Sequence, residues 1–186
     1  GAGYASSNPL GNTTHISVLD RDGNAVSMTT TNGEGSGVML GDTGVHLNNM
    51  LGEESLYGRN YGICKGGDRL PSMMAPTIVM NGKRGIELIL GSGGSERIPT
   101  ALFQVILNSV VHGLAPAPAV DFPRLHLLKE GLQAEPGFDR EAVEHVEGVN
   151  ISLWAEKSLY FGGVHVIDGR GKGYGDPRRD GFFVSE

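Results

Sequence analysis

The stretch NPLGNTTHISVLDRDGNAVSMTTTNGEGSG, Asn8 to Gly37, holds the key to the chain. Thr14–Asp20 alternates as a strand, with Ile16 and Val18 on one face and His15, Ser17 and Leu19 on the other. Asp20–Asn24 (DRDGN) is a hairpin turn, because Asp-Gly and Gly-Asn tolerate positive φ. Ala25–Thr31 is the return strand, and Asn32–Gly37 (NGEGSG) is a loop. One hairpin therefore carries Thr13, Thr14, Thr29, Thr30 and Thr31. Threonine suits strands, but its hydroxyl also serves as a nucleophile when a base removes the proton. A threonine that begins its chain supplies that base itself, since its α-amine titrates near pH 8. This requires cleavage between Asn12 and Thr13, where Gly11 and Asn12 are small.

Outward from the hairpin, Val38–Leu40 resumes extended structure, and Gly44–Ser55 (GVHLNNMLGEES) begins as a strand and becomes a polar loop. Ser55–Arg69 is aperiodic and glycine-rich, a surface loop. Thr77–Met80 and Gly85–Leu90, joined by Asn81–Arg84 (NGKR), form a second hairpin. Ile98–His112 is the strongest helix: Ile98, Leu102, Val105, Ile106 and Val110 keep helical spacing, Pro99 suits a first turn and Gly113 a cap. Ala115–Arg124 is a proline-broken connector, Arg140–Glu147 a short helix with Asp139, Glu141 and Glu144 solvated, and Val149–Ala155 and Leu159–Asp168 two more strands. The remaining tail is loop. There is no internal repeat and no domain linker. Hairpins dominate, so the class is α+β, a largely antiparallel sheet with helices packed on a face.

Composition excludes several functions. Of 186 residues 30 are Gly, about 16% against a usual 7% or so, which implies many turns and close backbone approaches. Net charge is -6 without a basic run, so nucleic acid is not a partner. Cys64 is alone, which rules out an internal disulfide and a cysteine-based metal site; it reads as a small buried hydrophobe. The six histidines form no H-x-x-x-H or H-E-x-x-H pattern, so no metal is expected. No apolar run is long enough to cross a membrane, and no signal peptide is visible at Gly1. The compartment stays open.

Other constellations have two readings each. Gly91–Ser95 (GSGGS), between a strand and a helix, is either a tight turn or a set of N–H groups holding an oxyanion. It lacks the Lys-Ser/Thr of a phosphate loop and the full dinucleotide spacing. Ser72 within Arg69–Thr77 (RLPSMMAPT) belongs to a strand lead-in or donates to a ligand carboxylate. Glu53 and Glu54 are solvated charges or partners for an ammonium. Asp176–Arg179 (DPRR) is a salt-bridged structural loop in preference to an anion site.

Taken together, TTHISVLDRDGNAVSMTTT, GVHLNNMLGEES, LPSMMAPTIVM, GSGGSERI and GDPRRDG resemble, in order, the small subunit of γ-glutamyltranspeptidases, among the N-terminal-nucleophile hydrolases. The resemblance runs from Thr13 nearly to the end. It implies an αββα sandwich of which this chain supplies part, with residues 13–186 as the small-subunit domain and 1–12 as a remnant of the large-subunit terminus or added residues. It implies that Thr13 is the nucleophile freed by self-cleavage after Asn12, and that Thr31 supports it. Gly94 and Ser95 match the oxyanion pair. Ser72 matches the first of two serines on the substrate α-carboxylate, and Asn32 and Glu53 match the reader of the α-amino group. Met73 stands where the second serine is usual, Glu53 where Asp is common, and the Asn32–Gly37 loop is shorter than in the best-known members. The implied activity is γ-glutamyl hydrolysis or transfer from glutathione-like amides to water, an amino acid or a peptide. No cofactor is implied, and the large subunit of the same precursor is the implied partner, without which the chain is incomplete. The alternatives are an acylase of the same fold with another acyl group, and a non-catalytic half.

Overall fold

The computed structural model describes residues 13–33, 35–53, 56, 65–83 and 85–186. Asn12, Glu54, Ser55, Cys64 and the rest of 57–64 lie outside the described residues.

The first hairpin forms as expected. β1 (Thr13–Leu19) pairs antiparallel with β2 (Ala25–Thr31), placing Thr13 opposite Thr31 and His15 opposite Thr29. The turn is closed by Asp20, whose carboxylate accepts from the backbone N–H of Asp22 and Asn24. Gly23 takes φ +85°, the conformation that Asp-Gly permits.

A four-stranded sheet forms the centre, in the order β3 (Thr77–Met80), β4 (Ile86–Gly93), β8 (Gly163–Asp168) and β9 (Gly173–Tyr174), all neighbours antiparallel. One face carries Leu88, Leu90, Val164 and Val166 into the core, where they meet Ile98, Ala101, Leu102 and Val105 of α1 (Ile98–Ile106) and Ala119 and Val120 of α2 (Pro116–Asp121). The 98, 102, 105 spacing puts this apolar stripe on one side of α1.

The first hairpin packs on the other face. Ser17 Oγ donates to the carbonyl of Ile89, and Ser27 Oγ to that of Leu90. His15 lies on Gly91, where a Cβ would fall 2.1 Å from its Nδ1. The hairpin thus turns its polar side inward, while Ile16, Val18, Val26 and Met28 point outward, 42 to 51% exposed. Helices, central sheet and hairpin sheet make three stacked layers.

A third sheet joins β5 (Leu125–Leu128) and β6 (Gly131–Ala134) as an antiparallel pair, with β7 (Ile151–Leu153) parallel to β6. It is held to α1 by polar side chains one turn apart. Thr100 Oγ1 bonds His126 Nδ1 at 2.7 Å, and Gln104 both donates to and accepts from the Leu125 backbone.

Five expectations need correction. The Ala115–Arg124 connector contains α2, because its first proline sits in the first turn, where no N–H is needed. The long helix is α-helical only to Ile106 and continues as a π-turn over Leu107–Val111. The strand expected from Leu159 starts at Gly163, after a 3₁₀ turn over Leu159–Phe161. The tail holds β9 and a 3₁₀ turn over Pro177–Arg179. α3 (Arg140–Glu144) is shorter than read, with Asp139 capping it by accepting from Glu141 N–H.

Candidate active site

Thr13 begins β1 and Thr31 ends β2, so the hairpin register makes them neighbours. Their Oγ atoms are 2.8 Å apart, within hydrogen-bond distance. Thr31 Oγ also accepts from the N–H of Gly33 at 3.0 Å, which fixes its orientation. Thr13 and Thr31 are both half-buried.

The end of β4 lies against this pair. A Cβ at Gly93 would fall 2.6 Å from the Thr13 carbonyl oxygen. Gly94 follows with φ +136°, and Ser95 with φ +52° opens a 3₁₀ turn leading into α1. The N–H groups that open a helical turn have no partner inside it, and they point outward ready for an acceptor. Gly94 also cannot carry a side chain without meeting Gly162 Cα at 2.8 Å. The sequence therefore brings the GSGGS turn and Thr13 to the same place.

The loop after β2 brings a third group. The Asn32 carbonyl accepts from Asn49 N–H at 3.1 Å. A Cβ on Gly33 would lie 2.6 Å from Asn49 Oδ1 and 3.0 Å from Glu53 Oε1. Asn32, Asn49 and the Glu53 carboxylate thus gather beside Thr31. Ser72 is placed differently: it is exposed on the lead-in to β3, and its Oγ accepts from Met74 N–H. Met73 is half-buried and packs against the core cluster. Among the described hydrogen bonds none joins Ser72 to the threonine pair.

Sequence reasoning missed three residues. Asn49 was hidden in a polar run with no spacing signal. His15 was read only as a strand residue, yet it is buried between β1 and β4, bonding Thr29 through Nδ1 and Ser17 through Nε2. Burial, with the nearby charge of His165, holds its pKa down at about 4. Burial also lowers His165, with Arg179 and Arg124 adding to the effect and Asp176 opposing it. The third is Arg179, at the end of the loop read as structural. Its Nη1 donates to the Thr13 carbonyl at 3.3 Å.

The rest of that loop is a buried ion network. Arg124, Glu135, Asp176 and Arg178 all lie under 9% exposed. Arg124 Nη2 bonds Asp176 at 2.6 Å, and Arg178 bonds both Asp176 and Glu135. Burial pushes Asp176 up, but Arg124 and Arg178 outweigh it and leave its pKa below the ordinary value.

A cleft of about 390 Å³ opens between β1 and residues 179–184, lined among others by Thr14, His15, His165 and Arg179. Thr13, Thr31, Gly94 and Glu53 are not among the residues that line it. Among the described residues no His/Cys/Asp/Glu group is arranged to hold a metal ion, and no helix is long and apolar enough to cross a membrane.

Comparison with known proteins places the chain in a family. The gamma-glutamyltranspeptidase family model matches residues 2–185. The glutathione hydrolase proenzyme of Escherichia coli is 35% identical over 185 residues, covering 89% of this chain and 31% of that protein. The chain thus spans about a third of the length of such curated relatives. An acivicin-inhibited gamma-glutamyltranspeptidase superposes with a TM-score of 0.75 at 31% identity, covering 90% of this chain and 99% of that one. Gamma-glutamyltranspeptidase from Pseudomonas nitroreducens complexed with L-DON gives 0.78 at 28% identity, covering 93% and 99%. The three stacked layers are therefore part of an N-terminal-nucleophile hydrolase sandwich, and the chain belongs to the gamma-glutamyltranspeptidase family.

Proposed function

We propose that the chain is the nucleophile-bearing part of a γ-glutamyl hydrolase and transferase that matures by cutting itself between Asn12 and Thr13. The observation that carries this reading is the Thr13–Thr31 hydroxyl pair at 2.8 Å, set against the Gly93–Ser95 turn. The lengths support it as well: a relative named a proenzyme is covered to 31%, while the matching chains in solved relatives are covered to 99%.

In maturation Thr13 Oγ bonds to the Asn12 carbonyl carbon, the Asn12–Thr13 C–N bond breaks, and its nitrogen takes the hydroxyl proton. Water then opens the ester and leaves a free Thr13 amine. In turnover that amine receives the Oγ proton as Oγ attacks the γ-amide carbonyl. The oxyanion is met by backbone N–H groups at Gly94 and Ser95. The C–N bond of the amide breaks, the leaving amine takes the proton from the Thr13 ammonium, and a γ-glutamyl ester remains. Water, or an amino acid or peptide amine, releases it by the same steps.

In this reading Glu53 and Asn32, which gather beside Thr31, receive the substrate ammonium, and Ser72, on the lead-in to β3, is assigned its carboxylate by its match to the family motif alone. The donor is a γ-glutamyl amide such as glutathione, and the partner is the large subunit of the same precursor. Met73 favours a second reading, an acylase of the same fold with a looser demand for the α-amino acid end, because a thioether offers no hydrogen bond to a carboxylate. Intact mass and N-terminal sequencing of the full-length product test the main reading. Wild type is expected to give a small chain starting at Thr13, and Thr13→Ala to remain uncut. A Thr13→Ala protein cut normally would end the proposal.

A further inference from the structure

Arg179 reaches Thr13 from the far end of the chain along a built path. Its Nη1 donates to the Thr13 carbonyl at 3.3 Å. Its stem lies on Gly163, where a Cβ would fall 2.4 Å from Arg179 Cδ. A Cβ at Gly93 would fall 3.0 Å from Nη1 and 2.6 Å from the Thr13 carbonyl oxygen. Gly93 and Gly163 are register partners in β4 and β8, so two paired glycines form one floor for the guanidinium and the Thr13 main chain. The turn that presents Arg179 is itself locked. Asp176 accepts from the backbone N–H of Arg178 at 2.9 Å, and Arg178 is ion-paired to Asp176 and Glu135. Asp180 then turns the chain away with φ +50°.

We propose that Arg179 is a positioning residue for the Thr13 base: it fixes the Thr13 main chain through the carbonyl, and its charge disfavours the ammonium form of the amine that cleavage creates. This rests on the reading of Thr13 as the first residue of the mature chain. An α-amine lies within about 4 Å of its own carbonyl oxygen, so the guanidinium comes close to it. A unit charge at such range in a half-wet site changes a proton equilibrium by about one pH unit. An amine is useful as a base only when uncharged, so the cation favours the working form at neutral pH.

Other charges face this spot. Arg97, before α1, adds to the same sign but is 3.7 Å from its own partner Glu96. Glu53, beside Gly33, acts in the opposite sense. Asp176 is committed to Arg124 and Arg178. His15 and His165 are held towards the neutral form by burial. Asp180 follows Arg179 directly. Among the described residues, Arg179 is the cation whose donor touches the Thr13 main chain.

The test is the pH profile of kcat/KM for the fully matured enzyme on a γ-glutamyl anilide. Arg179→Gln is expected to move the acidic limb up by about one pH unit, with the small chain still starting at Thr13. Arg179→Lys keeps the charge and is expected to leave the limb in place while lowering kcat. An Arg179→Gln limb within about 0.2 units of wild type overturns the proposal. So does an Arg179→Gln precursor that folds but stays uncut, since Arg179 would then act before the amine exists. If Arg179→Gln does not fold, Arg179→Lys decides: a limb displaced by more than about half a unit with the charge retained overturns it. A wild-type small chain that starts elsewhere than Thr13 sinks the parent reading and this one with it, whereas an unmoved limb sinks this one alone.

Discussion

At Gly93 and Gly94 the chain tolerates no side chain, for two different reasons. Gly93 is a matter of space: its missing Cβ leaves room for the Thr13 carbonyl. Gly94 is a matter of space and conformation together, with φ +136° and Gly162 Cα pressed against it. Gly93→Ala is therefore expected to leave the fold intact but displace Thr13. A turnover loss of roughly 100-fold or more is expected from a misplacement of about 1 Å, measured as kcat alongside an unchanged circular dichroism spectrum. Met73 gives a second prediction at this scale. A hydrogen bond to a charged group contributes about 1.5–3 kcal/mol, so Met73→Ser in the matured enzyme should sharpen discrimination between γ-glutamyl and glutaryl anilides by roughly 10-fold or more. Because Met73 packs partly against the core, the same change should also lower stability. Comparing kcat/KM for both anilides separates the two effects, and an unchanged ratio would remove position 73 from the specificity account.

Among the elements, the first hairpin is built the reverse of an ordinary amphipathic pair. Its inward rungs include Thr13–Thr31, His15–Thr29 and Ser17–Ser27, while Ile16, Val18, Val26 and Met28 lie outward with Thr14 and Thr30. His15 is the rung that titrates. Its folded pKa, about 4, lies below its ordinary value of 6.5. The unfolded chain therefore binds the proton more readily, and His15 stabilises the fold fully above pH 6.5 or so. That contribution is lost as pH falls from about 6.5 to about 4, and amounts to about 3 kcal/mol in all. His165, also lowered, acts in the same direction. Urea unfolding of the matured protein at pH 7 and pH 4.5 should show the loss in wild type and a smaller loss in His15→Gln. Equal losses in both would place the acid sensitivity elsewhere.

For the whole molecule, burial is distributed unevenly. The ion network joins the third sheet, α2 and the tail turn through Glu135, Arg124 and Arg178. Removing one member leaves a buried charge without its partner, which costs about 3–5 kcal/mol. Arg178→Met should lower the urea midpoint accordingly, whereas a surface pair such as Arg170–Asp168 should matter far less when broken at the exposed Arg170. At the other extreme, the outer face of the hairpin leaves Ile16, Val18, Val26 and Met28 in solvent. In an αββα sandwich that face is covered by a further layer, and among the described residues no helix covers it. Residues 13–186 expressed alone should therefore bind a hydrophobic dye, and co-expression with the large subunit should suppress the binding. Met28→Lys should weaken dye binding and impair co-purification. Assembly unaffected by Met28→Lys would mean that the partner packs elsewhere.

The sequence by itself determined the local pieces. The Asp20–Asn24 turn with the strands it joins, the pairing of β3 with β4 and the apolar stripe of α1 follow from period and turn chemistry, which act between near neighbours. The quoted motifs were enough to point to the family. Tertiary structure decided the rest. Alternation in β1 separated two faces but did not say which was buried, because Ser17 and Ser27 donate to carbonyls of β4, more than sixty residues away. β5 and β6 were not read because β5 is tied to α1 through Gln104 and β6 is fixed by pairing with β5 and the distant β7. Arg179 was assigned to a structural loop because its role depends on Thr13, 166 positions distant, and on two glycines that merely make room. Hydrogen bonds and steric gaps between such distant residues leave no periodic trace in the sequence, so only the folded chain reveals them.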